Sequence, residues 1–221
     1  MDIIASMFDF SYNIKKPLHK GEIKMGNYPV PSFPKCNETV CLEFGSSLGG
    51  FIKKYGKNFT RMYSFEASYT NYRSTQKLID DEGLENCKVF NLAGYGKTGE
   101  LLKLEKGESP NGNIIRKEPK NEYQNVLTIN FDDTIKLINE EKINYLKIDI
   151  EGSEYSFLKE VDLTNVDVLS MEIHSRLGKP NELEKHIKKY MDVYKKNKGT
   201  NYEITFTKKD LPKGYLIWPN T

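Results

Sequence analysis

The chain has 221 residues, 38% of them apolar and 29% charged. That is enough apolar surface for one domain to fold without disulfide or metal staples. Its 33 basic and 31 acidic residues leave a net charge of +2, too little excess for a strongly basic nucleic-acid binder. No apolar run approaches the roughly 18 residues of a membrane span. The start, Met1-Asp2-Ile3-Ile4-Ala5, lacks the basic-then-apolar order of a signal peptide.

Residues 1–37 carry Pro17, Pro29, Pro31 and Pro34 without clear periodicity, which predicts an extended arm or partial lid. The main domain is expected over 38–221. Thr39 to Phe44 is a short apolar run ended by Gly45, a buried strand. A helix is expected from Leu48 to about Tyr55, with Gly56 as its stop. Arg61 to Glu66 is a second strand. Ser68 is placed to cap a helix running to about Glu82, with Gly83 beyond it. Lys88 to Leu92 is a third strand.

The stretch from Gly94 to Gln124, rich in glycine and mixed charge, reads as an insert: a hairpin followed by a flexible loop. A strand is expected over 125–130, then a helix starting at Asp132 or Asp133 and ending near Glu140. Asn144 to Asp149 is the next strand. Ser153 is expected to cap a helix through Glu160, and Val166 to His174 is a further strand. Leu183, Ile187, Tyr190, Met191 and Tyr194 suggest one amphipathic helix over 181–195. Its lysines form a solvated face or a docking surface for an anionic acceptor. Two closing strands are expected at 202–207 and 214–218. They are too close for a helical crossover, so they should be antiparallel. This order predicts an α/β doubly wound sheet, mostly parallel, with one strand running against the rest.

Cys36, Cys41 and Cys87 form no CxxC pair, and no second pair completes a zinc site. An odd count without a signal peptide points to a reduced, cytoplasmic chain.

Doubly wound sheets bind ligands beyond the C-terminal ends of their strands. The first such end here is Glu43-Phe44-Gly45-Ser46-Ser47-Leu48-Gly49-Gly50. Gly45 permits a tight turn, Ser46 and Gly49 let the backbone approach a ligand, and Glu43 is a hydrogen-bond acceptor. An ordinary strand-to-helix turn would look similar. Glu66 follows Gly45 by 21 residues, the spacing of an acid that binds ribose hydroxyls. Asn91, at the third strand's end, is placed to meet an adenine edge. These features fit any adenosine-containing cofactor. The glycine spacing disfavours a nicotinamide dinucleotide, which wants Gly-x-Gly-x-x-Gly and a pyrophosphate seat.

Leu146 to Glu154 sets Asp149, Glu151 and Glu154 at the mouth of the next strand, and the strand after it ends Glu172-Ile173-His174. Neighbouring parallel strands would deliver these groups to one cleft. Glu172 and His174 share a face if both stay in the strand. Here the sequence resembles the FkbM-type methyltransferase family. The resemblance rests on Glu43/Gly45/Gly49, Phe65-Glu66-Ala67, the Lys147-x-Asp149-x-Glu151-Gly152-x-Glu154 segment, and Glu172-Ile173-His174, across about 39–175. Glu43 stands where aspartate is usual, Ser46-Ser47 where Ala-Asn is common, and Ala67 where proline is usual.

The resemblance implies a Rossmann-like class I fold that binds S-adenosylmethionine, and O-methylation of a saccharide or natural-product hydroxyl. Asp149 and His174 are then the first choices for the base or for orienting the acceptor, beside Glu172, and Asp149 is also expected among the cofactor-binding residues with Glu43, Gly45, Ser46, Gly49, Glu66 and Asn91. Asp149, Glu172 and His174 form an alternative divalent-metal set that would acidify the alcohol. Lys147, Glu151 and Glu154 are candidates for acceptor contact, although Lys147 is equally suited to pair a carboxylate, and Glu151 and Glu154 to favour a helix start. His19 and His186 gain no role from spacing. The expected partner is a small-molecule or saccharide acceptor. Two rival readings are a nicotinamide-dependent oxidoreductase on a similar sheet, and a non-catalytic module binding a nucleoside or partner protein.

Overall fold

The computed structural model describes residues 28–33, 38–107, 112–197, 199 and 201–217. Cys36, His19 and Trp218 lie outside them, as does most of the expected N-terminal arm. Strands β1 (Val40–Phe44), β2 (Arg61–Phe65), β3 (Cys87–Phe90), β8 (Ile143–Ile148), β9 (Val166–His174), β10 (Met191–Lys196) and β11 (Asn201–Lys208) form a seven-stranded sheet. Its order is β10-β11-β9-β8-β1-β2-β3. The five strands from β3 to β9 are mutually parallel, whereas β11 is antiparallel to both β9 and β10. This is the expected Rossmann-like α/β sheet with one reversed strand. The order turns at β1, so β1 and β8 leave a switch point between their C-terminal ends.

The central strands are apolar on both faces because both are covered. Alternate residues of β1 and β8 split between two cores. Leu42, Phe44, Leu146 and Ile148 join one, with Phe131 and Ile138 of α3 (Phe131–Ile138), Phe157 of α4 (Glu154–Phe157), and Leu183 and Ile187 of α5 (Pro180–Ile187). Cys41 and Tyr145 join the other, with Phe51 and Ile52 of α1 (Gly50–Tyr55) and Ile79 of α2 (Tyr69–Asp81). Cys41 and Cys87 are free and buried. Tyr28 and Val30 belong to this second core. Ser32 and Ile217 exchange backbone hydrogen bonds of 2.7 and 3.0 Å, tying residues 28–33 to the chain's far end.

Several boundaries differ from the sequence reading. Ser68 does cap α2, accepting from Asn71 N. Helix α3 is capped by Asn130, whose side chain accepts from Asp133 N, rather than starting at an aspartate. Ser153 makes no side-chain cap, and α4 stops at Phe157. The insert is more ordered than a loop. Strands β4 (Ala93–Gly94), β5 (Leu101–Glu105), β6 (Ile114–Ile115) and β7 (Tyr123–Ile129) make a second sheet in the order β4-β7-β5-β6. The strand expected at 125–130 therefore belongs there and not to the main sheet.

The largest correction is at the C-terminal end. The helix expected over 181–195 ends at Ile187, and Met191–Lys196 is the edge strand β10. The closing antiparallel pair is β10 with β11, not two strands after residue 200. Pairing to β11 outweighs the local helical spacing. Glu184 fastens this corner. It is 6% exposed and accepts from Lys196 Nζ and Tyr202 OH at 2.6 Å and Lys188 Nζ at 3.0 Å. Two of the lysines assigned to a solvated face are thus committed to one carboxylate.

Burial alone would raise the Glu184 carboxyl, but hydrogen bonds from Lys196, Tyr202 and Lys188 prevail and hold it at about 2. A depressed carboxyl stabilises the fold above its unfolded value of about 4.3, and that contribution fades as pH falls toward 2. Discounted for the half-exposed lysines, Glu184→Gln should lose about 1–2 kcal/mol at pH 7. Urea unfolding at pH 7 and pH 3 checks this, because the difference from wild type should shrink in acid.

Candidate active site

The site is built on the C-terminal ends of β1, β2, β8 and β9. Asp149 N donates to Phe44 O at 3.0 Å and Gly45 N to Phe65 O at 2.8 Å, so the strands stay in register as they end. Gly45 has φ +83, and a Cβ there would lie 1.8 Å from the Asp149 carbonyl oxygen. Glycine is required because β8 presses against the turn, a tighter reason than ligand approach. The Ser46 side chain turns inward. It is buried, with Oγ 3.4 Å from Thr75 Oγ1 on α2. Gly49, φ +79, precedes α1 beside the same Thr75 side chain.

Glu66 joins this turn to the end of β2. Its carboxylate accepts from Ser47 N at 2.7 Å and Ser68 N at 2.9 Å. Burial pushes its carboxyl up to about 7 against the pull of those two amides. Asn91 supports the same bend. Its amide donates to Glu66 O at 2.8 Å and Ala67 O at 3.1 Å, so it holds backbone instead of presenting that amide to an adenine.

Glu43 and Lys147 lie beneath the turn rather than on its surface. Their side chains are 0% and 5% exposed and meet at 3.2 Å. Lys147 Nζ also donates to Gly45 O at 2.9 Å, and Ser64 Oγ donates to Glu43 at 2.7 Å. Burial raises the Glu43 carboxyl, against Lys147 and Ser64. Burial opposes the charge on Lys147, but Glu43 and Asp149 outweigh it and hold the ammonium protonated. Lys147 is therefore a framework group, and the expectation of acceptor contact is corrected to a buried pair.

A second cluster lies one strand further. Asp149 and Glu172 are half-buried, His174 is buried, and one ligand atom from each lies within 4.8 Å of the other two. Glu172 and His174 are both within β9, as the shared face required. Glu154 is wholly buried and not at an acceptor surface. Its two oxygens take Gly152 N at 2.7 Å, His174 N at 2.8 Å and His174 Nδ1 at 3.2 Å. Glu151, with φ +50, brings Oε2 to 3.0 Å from His174 Nε2.

Burial would lower the His174 pKa. Hydrogen bonds to Glu151 and Glu154 overcome it and push it up to about 10. An imidazole protonated at neutral pH is a donor and not the base the sequence suggested. The carboxyl of Glu172 is raised as well, which favours its neutral form. Burial and the charge of Asp149 push it up to about 7, against His174. Two carboxylates and an imidazole are adequate donors for a divalent cation. His186 is half-buried, its Nε2 2.8 Å from the Val161 carbonyl, away from this cleft.

One site residue was not legible. Tyr28 is 4% exposed, and its hydroxyl donates to Asp149 Oδ2 at 3.0 Å. Its segment shows no periodicity, and the proline-rich composition signals only an extended path.

The methyltransferase FkbM domain matches residues 44–202 of this sequence. The chain belongs to the FkbM methyltransferase family. No curated protein matches the sequence. Among solved structures, human methyltransferase 10 domain containing protein is 12% identical, with 78% of this chain and 73% of that one covered and a TM-score of 0.47. An rRNA methylase from Streptococcus thermophilus is also 12% identical, with 77% and 87% covered and a TM-score of 0.45. TrmK of M. capricolum, in complex with S-adenosyl-homocysteine, is 10% identical, with 80% and 67% covered and a TM-score of 0.44. The FkbM segment begins one residue after Glu43, so Tyr28 lies outside it. No helix among the described residues is long and apolar enough to cross a membrane.

The raised Glu172 carboxyl is a stability statement. An acid whose folded value exceeds its unfolded one weakens the fold as pH rises from about 4.3 to about 7. Glu172→Gln should therefore be about 1–2 kcal/mol more stable than wild type at pH 8 and equal to it near pH 4. Thermal or urea unfolding across that range checks it; a variant less stable at pH 8 would contradict the assignment.

Proposed function

We propose that this FkbM protein binds S-adenosylmethionine at the β1–β2 end and methylates a hydroxyl, on a saccharide or natural product, at the β8–β9 end. The observation that carries the reading is the convergence of Asp149, Glu172 and His174 within 4.8 Å, beside the turn that Glu66 fastens. The donor set suits an adenosine cofactor without phosphates. Each oxygen of Glu66 holds one backbone amide, and a carboxylate oxygen can accept a second hydrogen bond, here from a ribose hydroxyl. Helix α1 has six residues and no side-chain cap, which is little to offer a pyrophosphate.

When bound, the cofactor supplies a methyl already made electrophilic by its sulfonium. The protein must bring an acceptor oxygen in line at roughly 3–3.5 Å, where orientation is worth about 7–11 kcal/mol. Asp149 is half-buried at the mouth of β8 and is assigned the acceptor hydroxyl. Glu172 is assigned the proton, because a base works best with a pKa near the working pH, and its carboxyl sits at about 7. His174 stays protonated and fixes Glu151 and Glu154 around the cleft.

Calorimetry with S-adenosylmethionine, with NAD as control, tests the cofactor end. Micromolar binding is expected, with at least a tenfold loss in Glu66→Ala, the size of about one lost hydrogen bond to a charged group. Asp149→Asn should keep cofactor affinity while kcat falls by about 10²-fold or more, measured with methyl-labelled cofactor against a panel of hexoses, deoxyhexoses and their methyl glycosides. Folded protein that binds no S-adenosylmethionine would overturn the reading in favour of a non-catalytic module.

A further inference from the structure

We infer that Tyr28 is a positioning residue of the active site: its phenol holds Asp149 in place, so the segment ahead of the family domain completes the reaction centre. The inference rests on the reading of Asp149 as the group that meets the acceptor.

Residues 28–33 are anchored at successive points. Tyr28 and Val30 are buried in the core that covers β1 and β8. Tyr145, on β8, donates its hydroxyl to Pro29 O at 3.0 Å. Ser32 pairs with Ile217, and Phe33 packs on Phe59 with ring centroids 6.1 Å apart. The Tyr28 ring therefore has a fixed seat, with Lys147 Nζ 5.1 Å from its centre. A buried phenol needs a hydrogen-bond partner. Many partners would satisfy one, yet this hydroxyl goes to the carboxylate at the centre of the cleft, across 121 residues of sequence.

The consequence for Asp149 is geometric. Tyr28 holds Oδ2, which fixes the plane of the carboxylate and so the direction in which its free lone pairs meet an acceptor hydroxyl. Without the phenol the side chain is free to turn about its terminal torsion, which is broad and two-fold. Burial, then the charges of Asp149 and Glu172, raise the Tyr28 phenol well above its ordinary value.

The test is a double-mutant cycle on the full chain. Tyr28→Phe keeps the ring and removes only the hydroxyl. It should lower kcat about tenfold or more, because misplacement of a positioned group costs rate, while the calorimetric Kd for S-adenosylmethionine stays within about threefold. In an Asp149→Asn background the same substitution should change kcat less than about twofold, since coupled residues are not additive. Turnover is read on the most active member of the saccharide panel. Val30→Ala loosens the same segment without touching Asp149, and its effect should be the same in both backgrounds. NMR of protein labelled with carboxyl-¹³C aspartate adds a readout that needs no acceptor. The signal lost in Asp149→Asn should move in Tyr28→Phe. An unmoved signal, or equal kcat losses in both backgrounds, would overturn the positioning role while leaving the methyltransferase reading intact. Wild-type protein that binds no cofactor would remove that reading, and the inference with it.

Discussion

The ion pair between Glu43 and Lys147 governs the rest of the site. The two residues face each other across the parallel β1–β8 pairing, and both side chains are buried. Lys147 reaches past its partner to the carbonyl of Gly45, while Ser64 of β2 donates to the same glutamate. One carboxylate and one ammonium thus tie three strand ends and the first turn together. The Tyr28 and Phe51 rings, centred 5.1 and 5.8 Å from Nζ, close the pair off from water. Removing one partner of such a pair leaves a buried charge uncompensated, at about 3–5 kcal/mol.

The pair's consequences run outward in two directions. Toward the cofactor end, a pinned Gly45 fixes Ser47, whose amide is the anchor for Glu66. Toward the reaction end, the Gly45 turn abuts the Asp149 carbonyl, so the spacing of the two turns is set by backbone. Both turns carry a non-glycine residue at positive φ, Ser47 at 49 and Glu151 at 50. Such conformations cost on the order of 1–3 kcal/mol each. The contacts that hold them are those that aim the site's groups: Ser47 N on Glu66, and Glu151 on His174.

Sequence reveals which side chains gather at the strand ends better than how deep they lie. The apolar runs of β1, β8 and β9, the Glu66 spacing and the Glu172-Ile173-His174 ending are local patterns, and local patterns survive in one dimension. Which charges lie beneath the surface is not local. Lys147 and Glu154 read as acceptor contacts because they flank a strand mouth, yet the first is drawn down by Glu43 and the second by His174. Strand β10 fails for a related reason. Five of its six residues are exposed, so it has no apolar alternation, and its identity comes from pairing with β11. The β4-β7-β5-β6 sheet likewise depends on pairing between distant segments. Tyr28 is the extreme case, since its partner is remote and its neighbourhood carries no period.

The charge arrangement favours one form of the proposed reaction over another. Asp149, Glu151, Glu172 and Glu203 raise the phenol of Tyr28 or the carboxyl of Glu172 through their negative charge. A field of that sign disfavours an alcohol that ionises before the methyl moves, because a free alkoxide would add another negative charge to the cleft. The same field favours transfer of the proton onto a carboxylate, which removes a negative charge as the acceptor oxygen begins to bond. Proton removal and methyl transfer are then best coupled, with the proton arriving on Glu172 as charge leaves the oxygen. A carboxylate of ordinary acidity would hold that proton poorly at neutral pH, and one raised to about 7 holds it well enough to accept and weakly enough to release it to solvent. The crowding of acids that weakens the resting fold is, in this reading, what makes one of them a base.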